Sequence, residues 1–282
     1  LKNILLDLFD LKDFNSITAE NDMKPQPTEP AYGQFNWENA DKIADFCRSN
    51  GIKLRGHCLI WHSQIGQWMY QDEKGNPVSK EKLFANMKHH ITAIMERYKD
   101  VVYAWDVVNE AISDGGWQGS RPGMGQQSGP YRNSPLYQIA GDEFIKKAFI
   151  YAREVDPDVL LFYNDYNAAD PGKRDRIYNM VKAMKEEGVP IDGIGMQGHY
   201  NIYGPSMEDV DAALTKYSTI VKHIHITELD IRANEEMGGQ LNFSREAGNI
   251  SPVVKTLQED QYARLFRVLR KHKDVVDNVT FW

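Results

Sequence analysis

The run VVYAWDVVNE, residues 101–110, decides the fold. From Val101 to Val108 it is apolar almost throughout and rich in β-branched and aromatic residues. Such a strand is covered on both faces, as strands are in parallel sheets flanked by helices. It then stops abruptly on Asn109 and Glu110.

Working outward, apolar runs of similar length recur at Phe14–Glu20, Leu54–Trp61, Leu160–Asn164, Gly193–His199, His223–Leu229 and Val279–Trp282. Helical patterns separate them. Leu83, Met87, Ile91, Ile94, Met95 and Tyr98 form one stripe at three- and four-residue spacing; Ile177, Met180, Val181 and Met184 form another. Asp170-Pro171 and Gly188 with Pro190 punctuate the ends of the second. Strand, loop and helix alternate along the whole chain, with no internal repeat and no low-complexity linker, so one α/β barrel over residues 1–282 is expected rather than two smaller domains.

Composition narrows the function. A net charge of −7, from 33 basic and 40 acidic residues without a basic block, argues against a nucleic-acid groove. No run approaches the roughly 18 apolar residues of a membrane-spanning helix. Cys47 and Cys58 lack zinc or disulfide spacing and read as core thiols. The glycine-rich stretch from Gly115 to Gly129 has no phosphate-loop order and reads as a surface loop. His223 and His225 could mimic a metal pair, but no third ligand accompanies them, and neither metal nor cofactor is expected. His89 and His90, neighbours on a helix, read as surface residues facing different directions.

Chemistry gathers where the strands end: Glu20 with Asn21, His57 with Trp61 and His62, Asn109 with Glu110, Asn164 with Tyr166, Gln197 with His199, Glu228 with Asp230, and Trp282. In a barrel these carboxyl ends share one rim, so distant residues converge on one cleft. Alternation puts Gln197 with His199, Glu228 with Asp230, and His57 with Trp61 on common faces. Asp106 and Glu110 share parity, whereas Asn109 can point inward only if the strand bends or bulges. Asp106 reads as a buried, hydrogen-bonded carboxylate; Glu110 alone could equally be a cap or a salt-bridge partner. ITELD at 226–230 adds a second strand-end glutamate, and paired carboxylates are what glycoside cleavage requires.

Five motifs then carry a resemblance: FNSITAENDMKP at 14–25, RGHCLIWH at 55–62, WDVVNEA at 105–111, GMQGHY at 195–200 and HITELD at 225–230. Together they resemble family 10 glycoside hydrolases, mainly endo-β-1,4-xylanases. The resemblance implies a (β/α)8 TIM barrel and a retaining mechanism, with Glu110 as general acid/base and Glu228 as nucleophile. It implies that Asn109 contacts the substrate 2-hydroxyl and that His199, beside Gln197 and oriented by Asp230, lies near the nucleophile. Glu20, Asn21 and Lys24 would grip the sugar on the non-reducing side. His57, Trp61 and Gln64 would line the central subsite, Trp282 would cover the scissile sugar, and Tyr166 would stack on the leaving-group side. Trp117 is a further acceptor-side candidate.

The family barrel begins with a strand that has no counterpart here, because Leu1–Asp13 looks like the helix after it. It also continues beyond Trp282 with another tryptophan. We therefore expect either residues upstream of Leu1, which is not a natural start, or a strand-completing segment or partner chain. The resemblance implies xylan and xylo-oligosaccharides as substrates and secretion or cell-surface display. A sugar-binding barrel without turnover, or an endoglucanase of the same mechanism, are the alternatives.

Overall fold

The computed structural model describes residues 14–115, 129–233 and 250–282. Eight parallel strand segments are present: β1 (Ser16–Thr18), β2 (Lys53–Trp61), β3 (Val102–Asn109), β4 (Leu160–Asp165), β5 (Gly193–Met196), β6 (His199–Asn201), β7 (His223–Arg232) and β8 (Val276–Phe281). Each of β1 to β4 pairs with the next in order of appearance, β5 and β6 both pair with β7, and β8 closes onto β7. Helices between the strands complete a nearly closed (β/α) barrel. All seven strands expected from sequence are present; Gly193–His199 is divided because Gly198, at φ 86°, breaks it into β5 and β6.

The stripes bury as their spacing predicts. Leu83, Met87, Ile91, Ile94, Met95 and Tyr98 of the helix Lys80–Tyr98 are all 1% exposed or less. Asp170 caps the helix Pro171–Glu186 by accepting from Lys173 N at 3.0 Å. On β3, Trp105 is 1% exposed and lies against Gly56 of β2, where an added Cβ would come within 2.2 Å of its ring. That contact explains the glycine in RGHCLIWH. Cys47 and Cys58 are buried free thiols, as expected.

The barrel interior is polar along one line. Arg55 forks onto Asp106, whose Oδ2 also lies 2.8 Å from His57 Nδ1. Arg55 Nε reaches across the barrel to His225 Nδ1 at 3.2 Å. Burial alone would raise the Asp106 carboxyl, but Arg55 and His57 hold it below its ordinary range. Asp106 is thus the buried, satisfied carboxylate that its place in the strand suggested. His223 and His225 share Asp277, at 2.6 and 3.0 Å, which accounts for their spacing.

Two expectations need correction. His90 is fully buried and His89 only part-exposed, and both face one carboxylate: Glu29 Oε1 lies 3.0 Å from His89 Nε2 and Oε2 lies 2.9 Å from His90 Nδ1. The 100° between helical neighbours is bridged because a carboxylate has two oxygens. The last strand is also longer than expected, starting at Val276. Where β8 meets β1, no ladder joins them among the described residues, and Asn278 Nδ2 donates to Ser16 Oγ at 3.0 Å. Leu1–Asp13 and Trp117 lie outside the described residues, as does most of the glycine-rich stretch.

Candidate active site

The rim forms where β3, β4, β5 and β7 end side by side, and irregular pairing aims their last residues. On β3 the register with β4 shifts between Asp106 and Val108, so the strand bulges and Asn109 turns inward. Asn109 is 2% exposed, with Asn164 Nδ2 and Gln197 Nε2 at 3.0 and 3.2 Å from its side-chain amide. Gln197 Nε2 also donates to Glu110 Oε1 at 3.0 Å, and Trp61 Nε1 donates to Glu110 Oε2 at 2.9 Å. On the other side Asn164 Nδ2 donates to Glu228 Oε1 at 2.9 Å. An unbroken chain of amides therefore links the two glutamates.

Glu228 is 6% exposed, and its second oxygen lies 3.1 Å from His199 Nε2. His199 Nδ1 faces Asp230 Oδ2 at 3.2 Å. Burial pushes this imidazole towards neutrality, but hydrogen bonds to Asp230 and Glu228 outweigh it and raise the pKa to about 9. A cation thus sits against a buried carboxylate at neutral pH.

The remaining predicted residues fall into four groups. Lys24 Nζ bonds Asn21 Oδ1 at 2.9 Å and stands 4.9 Å from the centroid of the Trp61 ring, joining that cluster to Glu110. His57 meets Trp282 edge-on at 5.9 Å, and Trp282 N donates to Leu229 O beside Glu228. Glu20 is exposed and Gln64 part-exposed; no hydrogen bond among the described residues ties either side chain to the carboxylates. Tyr166 is held apart from the amide chain, its hydroxyl donating to Asp114 Oδ2 at 2.5 Å and accepting from Arg132 Nη2 at 2.6 Å. Lys173 Nζ lies 3.4 Å from its ring centroid.

Sequence reasoning gave no role to Asn164, Thr227 or Arg132. Asn164 is fully buried and oriented by Thr227 Oγ1, which donates to its Oδ1 at 2.7 Å. Its place at a strand end was the available signal. Nearby His62 is pushed down to about 4, by burial first and then by the Arg132 charge, and so stays neutral.

Two glutamates, one directly after β3 and one on β7, are joined across the rim by a chain of amides, with the Trp61 indole on one of them; paired carboxylates are the arrangement that glycoside cleavage uses. The chain belongs to glycosyl hydrolase family 10, whose model matches residues 6–282. It is 58% identical over 277 residues to the endo-1,4-beta-xylanase/feruloyl esterase of Xylanibacter ruminicola, covering 96% of this chain and 38% of that protein. It is 38% identical over 274 residues to endo-1,4-beta-xylanase B of Paenibacillus barcinonensis, covering 97% of this chain and 78% of the relative. Its fold superposes, at TM-score 0.86 and 68% identity, on a psychrophilic glycoside hydrolase family 10 endo-beta-1,4-xylanase, covering 95% of this chain and 78% of that one. The chain spans well under half the length of the first of these relatives.

Proposed function

We propose that this chain is a retaining endo-β-1,4-xylanase that cleaves internal bonds of xylan and xylo-oligosaccharides by double displacement. The amide chain from Glu110 through Gln197, Asn109 and Asn164 to Glu228 supports the reading, because continuous hydrogen bonds tie the two carboxyl groups to one rim. Retention calls for a separation of about 5 to 5.5 Å, too short for an intervening water.

In the first step a Glu228 oxygen bonds the anomeric carbon while Glu110 gives its proton to the departing glycosidic oxygen. Charged His199 and Asn164 fix the attacking carboxylate. Asn109, already desolvated, meets the 2-hydroxyl as the oxocarbenium-like transition state forms. In the second step Glu110 takes a proton from water, which displaces Glu228 and restores both groups. Xylan as substrate rests on the names of the relatives, and a polymeric substrate places the work outside the cell or at its surface.

The test compares reducing-sugar release from xylan by the parent and by Glu228→Gln, with proton NMR of the first anomer formed. Release by the parent alone, with β-anomer appearing first, is expected. Equal release excludes the proposed nucleophile, and an α-anomer product excludes retention.

A further inference from the structure

Glu110 is held at φ 57°, a left-handed conformation that a glutamate rarely adopts unless its surroundings impose it. The surroundings are specific. Glu110 N donates to Asn164 O at 2.9 Å, and the next two amides, Ala111 N and Ile112 N, both donate to Tyr163 OH at 3.0 Å. Tyr163 OH in turn donates to the fully buried Asp165 at 2.5 Å.

Arg132 holds the other side. Its Nε donates to Glu110 O at 2.9 Å and its backbone N donates to Ala111 O at 2.8 Å. Its Nη2 bonds Tyr166 OH, whose own proton goes to Asp114. Lys173, 1% exposed, bridges Asp114 and Asp165 at 2.8 Å each. One guanidinium therefore joins the backbone of the strained residue to the aromatic ring next to it, and Lys173 connects both to the tyrosine under the following peptide.

We propose that Arg132 is a positioning residue that aims the Glu110 carboxyl, and that it couples this aim to the Tyr166 platform on the leaving-group side. The proposal rests on the acid/base role of Glu110 given above. A carbonyl restrained by a charged donor cannot rotate without losing that bond, so the peptide plane, and with it the direction of the Glu110 side chain, is locked. Removing Arg132 leaves Glu110 in place but free to relax out of the left-handed region. Proton delivery to the glycosidic oxygen then fails while nucleophilic attack by Glu228 is untouched.

Leaving-group dependence separates these effects, because an activated aryl group departs without protonation and a phenyl group does not. Initial rates are measured for the parent, Arg132→Met, Tyr166→Phe and Glu110→Gln on 2,4-dinitrophenyl and phenyl β-xylobioside. Misplaced acid catalysis predicts that Arg132→Met loses about 10²-fold in kcat/KM on the phenyl substrate, within the range for general acid catalysis. On the dinitrophenyl substrate its loss should stay within a few-fold. Tyr166→Phe, which keeps the ring but frees Arg132, should show the same selectivity at smaller amplitude. Equal losses on both substrates, with Glu110→Gln selective, overturn the positioning role. Absence of selectivity in Glu110→Gln itself overturns the acid/base reading beneath it. If Arg132→Met does not fold, the Tyr166→Phe ratio alone decides.

Discussion

His199 Nε2 lies 3.1 Å from Glu228 Oε2 while its other ring nitrogen faces Asp230, so one imidazole on β6 is clamped between two carboxylates two residues apart on β7. Its pKa, raised to about 9, sits above the ordinary histidine value of 6.5. A group whose folded pKa is raised contributes stability that is complete below the unfolded pKa and is lost as pH rises through the folded one. Denaturation midpoints should therefore fall between about pH 6.5 and 9. The fall should flatten in His199→Asn, and NMR titration of the ring should show Asp230→Asn lowering the midpoint. A ring that titrates near 6.5 contradicts the clamp.

Gly195 makes room for the amide that fixes Glu228. A Cβ there would come within 2.2 Å of Asn164 Oδ1, the amide oxygen of a fully buried side chain. Gly195→Ala should thus displace Asn164 from both Glu228 and Asn109. A displacement near 1 Å at a reacting group costs about 10²-fold, and that loss is expected in kcat rather than in KM. Unchanged kcat on xylan would show that the site tolerates the shift.

Glu29 has a structural role. Its side chain is fully buried and holds His89, His90 and Gly33 N, the last at 2.8 Å. Glu29→Ala strands the buried His90 ring and should cost about 1–3 kcal/mol in urea denaturation. Steady-state constants should stay unchanged, because among the described residues none of this cluster bonds the rim carboxylates.

Arg55 and Asp106 are 1% and 0% exposed, so removing one leaves an uncompensated charge inside the barrel. Arg55→Met alone should destabilise by about 3–5 kcal/mol, whereas Arg55→Met with Asp106→Leu should recover much of that loss. A double variant as unstable as the single one would mean that the pair does more than neutralise itself.

The fold was legible because each strand has a length and polarity of its own: VVYAWDVV reads as a doubly covered strand before any partner is known. Glu110 and Glu228 were legible for a related reason, since an ionisable group ending a buried apolar run is conspicuous. Arg132 was not, because it acts on a carbonyl oxygen, and backbone acceptors leave no mark in sequence. Asn164 stood at a strand end, yet its partners depend on the β3 bulge, which shifts the register with β4 by a whole residue, and on the break at Gly198. His89 and His90 misled because helical direction was weighed without the carboxylate opposite them.

The seam between β1 and β8 has a kinetic meaning. Ser16 and Asn278 are 262 positions apart, so the hydrogen bond between them closes the longest loop the described chain contains. Such a contact forms late, after the intervening strands have paid their own ordering entropy. Among the described residues a side-chain bond, not a ladder, ties β8 to β1 there. Trp282 follows β8 directly, so the contact between its indole and His57 belongs to the same late closure. In refolding, amide protection should therefore appear later along β8 than along β3, and the Trp282 wall of the cleft should complete with it.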